Sequence, residues 1–126
     1  MARPVFVFGS NLAGIHGGGA ARWAYENCGA EWGVGFGLTG LSFAIPTMDW
    51  EIEPLPLSRI EKFVQRFLKF AQARQDLEFE LTPIGCGRAG YTPAQIAPLF
   101  RNSPANVKLP EEFRAVLESS AAAATA

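Results

Sequence analysis

Pro4-Val5-Phe6-Val7-Phe8-Gly9-Ser10-Asn11-Leu12-Ala13-Gly14-Ile15-His16-Gly17-Gly18-Gly19-Ala20-Ala21 contains a strand, a glycine-rich loop and a helix start in unbroken succession. The β-branched and aromatic run Val5–Phe8 predicts a buried strand, ended at Gly9. The triplet Gly17–Gly19 opens a helix over Ala20–Asn27, with Gly29 placed to stop it. The same order recurs further along. Leu41–Ile45 predicts a second strand, stopped by Pro46, and 48–56 a surface loop. Ser58 and Glu61 have capping-box spacing, and apolar residues from Ile60 to Ala71 keep helical period, predicting a helix over Ser58–Gln75. Phe79–Ile84 predicts a third strand. Thr92, Pro93 and Gln95 start a helix to about Arg101. Val107–Leu109 predicts a last short strand, and Pro110 starts a helix to about Glu118. Trp32, Val34 and Phe36 alternate and offer one more strand in an otherwise irregular stretch.

Strands alternating with helices predict an α/β fold: a single three-layer α/β/α domain with a mostly parallel or mixed sheet. It spans 1–118, followed by an Ala-rich, frayed tail at 119–126. The 126 residues suffice for one domain, and 48% apolar with 18% charged residues excludes a disordered chain or a coiled coil. A net charge of −1 gives no reason to expect general nucleic-acid binding. No apolar run approaches the roughly 20 residues of a membrane span, and Met1–Pro4 lacks a signal-peptide pattern. Two cysteines and one histidine fit neither a disulfide framework nor a zinc site. The expectation is a cytoplasmic, reduced protein without metal or cofactor.

The 13 glycines are clustered: ten lie from Gly9 to Gly40, and the others are Gly85, Gly87 and Gly90. Both clusters follow a strand and precede a helix, where backbone N–H groups and a helix dipole favour an anion. The first lacks the Gly-Lys-Ser/Thr of a P-loop and the glycine spacing of the dinucleotide fingerprint. Within it Ser10 and Asn11 stand at the strand end. Asn11 has the donor and acceptor to meet a ribose hydroxyl or a carboxamide edge, or else stabilises its own turn. The second cluster, Ile84-Gly85-Cys86-Gly87-Arg88-Ala89-Gly90-Tyr91, offers a second phosphate loop. Cys86 is either a nucleophile paired with His16 or a small residue against a ligand. Arg88 reaches a phosphate or stays in solvent, and Tyr91 stacks on a base or packs over the loop.

His16 has an ordinary pKa suited to acid–base work, with a phosphate contact or a plain surface role as alternatives. Asp49, after the second strand, is a candidate general base or adenine contact, with a solvated loop acid as its alternative. Trp32, Phe36 and Trp50 offer a stacking wall, or core and lid packing.

Together, Gly-Ser-Asn, His-Gly-Gly-Gly-Ala-Ala, Ile-Pro-Thr and Ile-Gly-Cys-Gly resemble the macro domain, the α/β/α module that binds ADP-ribose. The likeness spans about 4–113. It is closest to a phage and bacterial macro-like group and, in the Gly-Cys-Gly loop, to the terminal ADP-ribose glycohydrolases. The resemblance implies an ADP-ribose-like nucleotide on Ser10, Asn11, His16, Gly17, Gly18, Gly19, Gly85, Cys86, Gly87, Arg88, Ala89, Gly90 and Tyr91. An ADP-ribosylated macromolecule is the implied larger partner. The sequence departs from the family's hydrolytic members. Ala20-Ala21-Arg22 stands where an acid follows the glycine triplet, and Arg88-Ala89 stands where the glycohydrolases carry aspartate. No lysine precedes Lys62. The departures favour a binder; hydrolysis of an ADP-ribosyl bond by His16 or Asp49 is the alternative.

Overall fold

Strand β1, Val5–Asn11, forms the centre of the sheet and sorts its side chains onto two faces. In this computed structural model, which describes residues 3–125 (side chains to position 119), Val5 and Val7 enter one core and Phe8 another. The elements run β1, α1 (Gly19–Asn27), β2 (Gly37–Thr39), β3 (Ser42–Met48), α2 (Leu57–Ala73) and β4 (Phe79–Leu81). There follow α3 (Pro93–Ile96), continued by a 3-10 turn at Ala97–Phe100, then β5 (Val107–Lys108) and α4 (Glu111–Thr125).

The sheet order is β2-β3-β1-β4-β5. β3, β1, β4 and β5 pair in parallel, and β2 is antiparallel to β3. The larger core joins Val7, Phe43 and Ile45 to Ile60, Val64 and Phe67 of α2, Phe100 after α3, and Phe113 of α4. The smaller sets Phe8 and Ala44 against Ala21 and Ala24 of α1. Helices therefore cover both faces, as the alternation of strands and helices predicts for one α/β domain.

β1 does not end at Gly9. Gly9 pairs with Ile45 inside the ladder, and the strand runs on to Asn11. Nor does Pro46 stop β3, which continues to Met48. β2 reaches only to Ala44, so at Pro46 β3 has lost its outer neighbour, and a missing N–H is tolerated at such an edge. The register shifts there, with Asn11 opposite Met48.

β4 is shorter than expected. Thr82 still bonds Val7 O through its N–H (3.0 Å) and hydroxyl (2.8 Å), but Pro83 has no N–H to extend the ladder. The capping box at Ser58 does not form. α2 starts one residue earlier, on Pro56, with buried Leu55 and half-buried Leu57 fixing the entry of the chain. At α3 the box is as expected, with Thr92 N–H donating to Gln95 Oε1 at 2.9 Å. The alternation at 32–36 does not become a strand; β2 begins at Gly37. α4 passes Glu118 and runs to Thr125. The Ala-rich segment is thus part of α4 as far as Thr125, while side chains from position 120 and all of Ala126 lie outside the described residues.

No helix among the described residues is long and apolar enough to cross a membrane.

Candidate functional site

Connections leave adjacent strands β1 and β4 in opposite directions, one towards β3 and the other towards β5. Such a switch point opens a crevice beyond the carboxyl ends of the two strands. A cavity of about 750 Å³ lies there, within the size range of small-molecule sites. Gly9–Asn11 and Gly17–Ala21 form one wall, and Thr82–Ala89 the other. Ile15 of the β1–α1 loop, Thr47, Met48 and Ile52 from the β3 end, Pro93 of α3 and Glu112 of α4 complete it. The two glycine clusters thus meet at one site.

The start of α1 supplies donors. Its N-cap is Gly18, no side chain caps it, and its first turn carries no acid. The first N–H groups of a helix have no partner in the helix itself, and here Gly19, Ala20 and Ala21 border the cavity. The helix dipole adds a partial positive charge at the same end.

The glycines divide by what the fold asks of them. A Cβ on Gly14, whose φ is +68°, would lie 2.3 Å from Gly33 C, and one on Gly35 would lie 2.1 Å from Asn11 O. These glycines let two loops pack backbone on backbone. Gly18 and Gly87 differ: both have backbone open to any residue, and a Cβ on either would meet nothing within 4 Å. Gly17 is nearly as free, its nearest neighbour being Ile15 Cγ2 at 3.9 Å. All three border the cavity.

Of the side chains singled out from sequence, Ser10, Asn11, Cys86, Arg88 and Ala89 border the cavity. Asn11 is committed to its own loop: Nδ2 donates to Ile15 O at 2.9 Å, and Ile15 N donates to Oδ1 at 3.0 Å. That is the turn-stabilising alternative. Ser10 is buried, and its hydroxyl has no partner among the described residues.

His16 does not join the cavity. Only 1% of it is exposed, and its ring packs edge-on to Phe8 at 5.3 Å, with Trp32 at 6.1 Å and Tyr25 at 6.3 Å. The loop turns the imidazole inward, against the expected exposed loop histidine. Burial pushes its pKa below the ordinary 6.5. Neither ring nitrogen makes a hydrogen bond among the described residues. The Cys86–His16 pair is therefore not assembled. Burial first, then the Glu112 carboxylate, push the Cys86 thiol up, which opposes nucleophilic use near neutral pH.

Asp49 is also outside the cavity. Its Oδ1 accepts the N–H of Glu51 (2.9 Å) and Glu53 (3.0 Å), organising its own loop. Tyr91 donates its hydroxyl to Leu55 O and packs at the margin of the larger core, and Gly90 N–H closes a turn on Gly87 O. Neither borders the cavity. The stacking wall does not form: Trp32 pairs with Tyr25 at 5.5 Å, Phe36 with Phe43 at 5.3 Å, and Trp50 is 66% exposed.

Sequence reasoning missed Thr47, Met48, Ile52, Thr82 and Glu112. Glu112 carried a usable signal, since it stands in the first turn of the helix that follows a parallel strand, as Gly19 does. Ile52 carried none; it is the one described non-glycine residue with positive φ, +63°, a strained state for a β-branched side chain. Among the described residues, no group of three or more His, Cys, Asp or Glu is placed to hold a metal ion. Set against protein-family models, curated proteins and solved structures, the chain matches none of them.

Proposed function

We propose that this protein binds an NAD-derived nucleotide of the ADP-ribose type, with its diphosphate held by backbone N–H groups of Gly17–Gly19, Gly85 and Gly87. The observation that carries this reading is the set of glycines without a folding role. Gly17, Gly18 and Gly87 have ordinary backbone and open space where a Cβ would stand, and all three border one cavity. Glycine there lets a ligand approach the N–H groups closely. The uncapped start of α1 supplies the donors, and Arg88 supplies a cation on the facing wall. The motif resemblance to macro domains names the ligand class, and an ADP-ribosylated protein or nucleic acid is the macromolecular form of it.

Binding is favoured over hydrolysis. His16 and Asp49, the candidate acid–base groups, do not border the cavity, and Cys86 is held towards its thiol form. Isothermal titration against ADP-ribose, NAD, ADP and AMP tests the reading. ADP-ribose is expected to bind tightest; absence of binding by all four at millimolar concentration would remove it.

A further inference from the structure

Ile52 has a backbone conformation that suits another residue better. Its φ is +63°, and the other described residues with positive φ are eight glycines. Glycine or asparagine takes such a position at little cost, whereas a β-branched side chain strains it. The turn holds that backbone from both sides. Met48 bridges Pro54, Leu55 N–H donates to Thr47 O at 2.9 Å, and Ile52 N–H donates to Asp49 O at 3.2 Å. Packing does not offset the strain: Ile52 is half-buried and joins neither hydrophobic core. It does border the cavity. Strain of this kind collects at ligand sites, where a side chain is held for something other than the fold.

The position of Ile52 separates it from the anion cradle. The glycine loops follow β1 and β4, whereas Ile52 follows β3, which lies on the other side of β1 from β4. No atom of Ile52 lies within 4 Å of where a Cβ would stand on Gly17, Gly18, Gly19 or Gly87. Its chemistry separates it too. An aliphatic side chain neither donates nor accepts a hydrogen bond, so against a phosphate it would displace water and replace none of its bonds. It gains by covering apolar surface, which in a nucleotide the flat faces of the base supply. Met48 borders the cavity from the same strand end and extends that surface.

We propose that Ile52 is a specificity-determining residue that covers one face of the nucleotide's base, so that the cavity selects base-bearing diphosphates over bare ones. The strain at position 52 is the cost in stability of placing an aliphatic group there. This inference rests on the nucleotide reading above, to which it adds the contact with the base.

The test titrates ADP-ribose and inorganic pyrophosphate into the wild type, Ile52→Asn and Ile52→Leu, with a thermal melt of each. Asparagine accepts a positive φ, so Ile52→Asn should melt no lower than the wild type. It should weaken ADP-ribose about three- to tenfold, the scale of burying the exposed half of an isoleucine, and leave pyrophosphate within about twofold. Ile52→Leu keeps an aliphatic group and should bind ADP-ribose within about twofold of the wild type. Wild-type ADP-ribose affinity in Ile52→Asn, a lower Tm in that variant, or equal losses of both ligands would overturn the proposal. So would an ADP-ribose loss in Ile52→Leu equal to that in Ile52→Asn, and this comparison decides alone where pyrophosphate binds too weakly to titrate. If the wild type itself binds no ADP-ribose, the nucleotide reading fails and this inference falls with it.

Discussion

Replacing Asn11 by alanine should loosen the fold before it touches any ligand. The amide of Asn11 makes two hydrogen bonds to one residue, donating to Ile15 O at 2.9 Å and accepting from Ile15 N at 3.0 Å. Asn11 is 4% exposed, so water replaces neither bond cheaply. At a net 0.5–1.5 kcal/mol per bond, the loss is about 1–3 kcal/mol. For a domain of this size each kcal/mol corresponds to about 3–5 °C, so a central value of 2 kcal/mol lowers Tm by about 6–10 °C. Urea denaturation should show a lower midpoint at unchanged slope. Hydrogen exchange should show the Ile15 amide losing protection while β1 amides keep theirs. Asn11→Asp should recover part of the loss at most, since a carboxylate accepts from Ile15 N but opposes Ile15 O. A Tm within about 1 °C of the wild type, with Ile15 still protected, would refute the assignment of Asn11 to its own loop.

Three further outcomes follow from the same geometry. His16 has a folded-state pKa below its ordinary 6.5, so the unfolded chain binds the proton first. Its contribution to stability is complete above pH 6.5 and is lost as pH falls from there through the folded value. Urea midpoints at pH 7.5 and 5.0 should therefore differ in the wild type and converge in His16→Phe; an equal gap in both would contradict the buried imidazole. Gly14→Ala, with its Cβ 2.3 Å from Gly33 C and φ at +68°, should cost about 2–5 kcal/mol. Gly17→Ala should stay within about 0.5 kcal/mol, and equal effects in a denaturation series would contradict the division of the glycines. Ile52→Asn relieves a β-branched residue at φ +63° and should stabilise by up to about 1 kcal/mol; a loss larger than that would mean that the burial of Ile52 outweighs its strain.

The sheet was legible because its strands are short runs of β-branched and aromatic residues, and Phe43, Ile45 and Val7 fill the core that the pattern predicts. Strand ends were not, because Gly9 and Pro46 act as stops only where the ladder needs their missing features. Gly9 needs no side chain inside the parallel ladder, and Pro46 stands beyond the last residue that β2 pairs. The meeting of the two glycine loops was legible from strand–helix order. The direction of a side chain was not: His16 and Asp49 belong to loops next to the cavity, yet one turns into Phe8, Trp32 and Tyr25 and the other caps its own turn. Composition also merged two kinds of glycine. Gly14 and Gly35 serve contact between loops, Gly18 and Gly87 leave space, and only coordinates separate them.

The most direct measurement is ADP-ribose affinity in Gly18→Val and Gly87→Val beside their melting temperatures. A Cβ at either position meets nothing within 4 Å and the backbone accepts it, so both proteins should fold. Valine is a poorer N-cap than glycine at position 18, worth about 1 kcal/mol or less. Tm should therefore fall by no more than about 5 °C, while each side chain fills the cradle and lowers affinity at least about a hundredfold. Variants that fold and bind ADP-ribose as the wild type does would contradict the backbone cradle and, with it, the account of what this cavity is for.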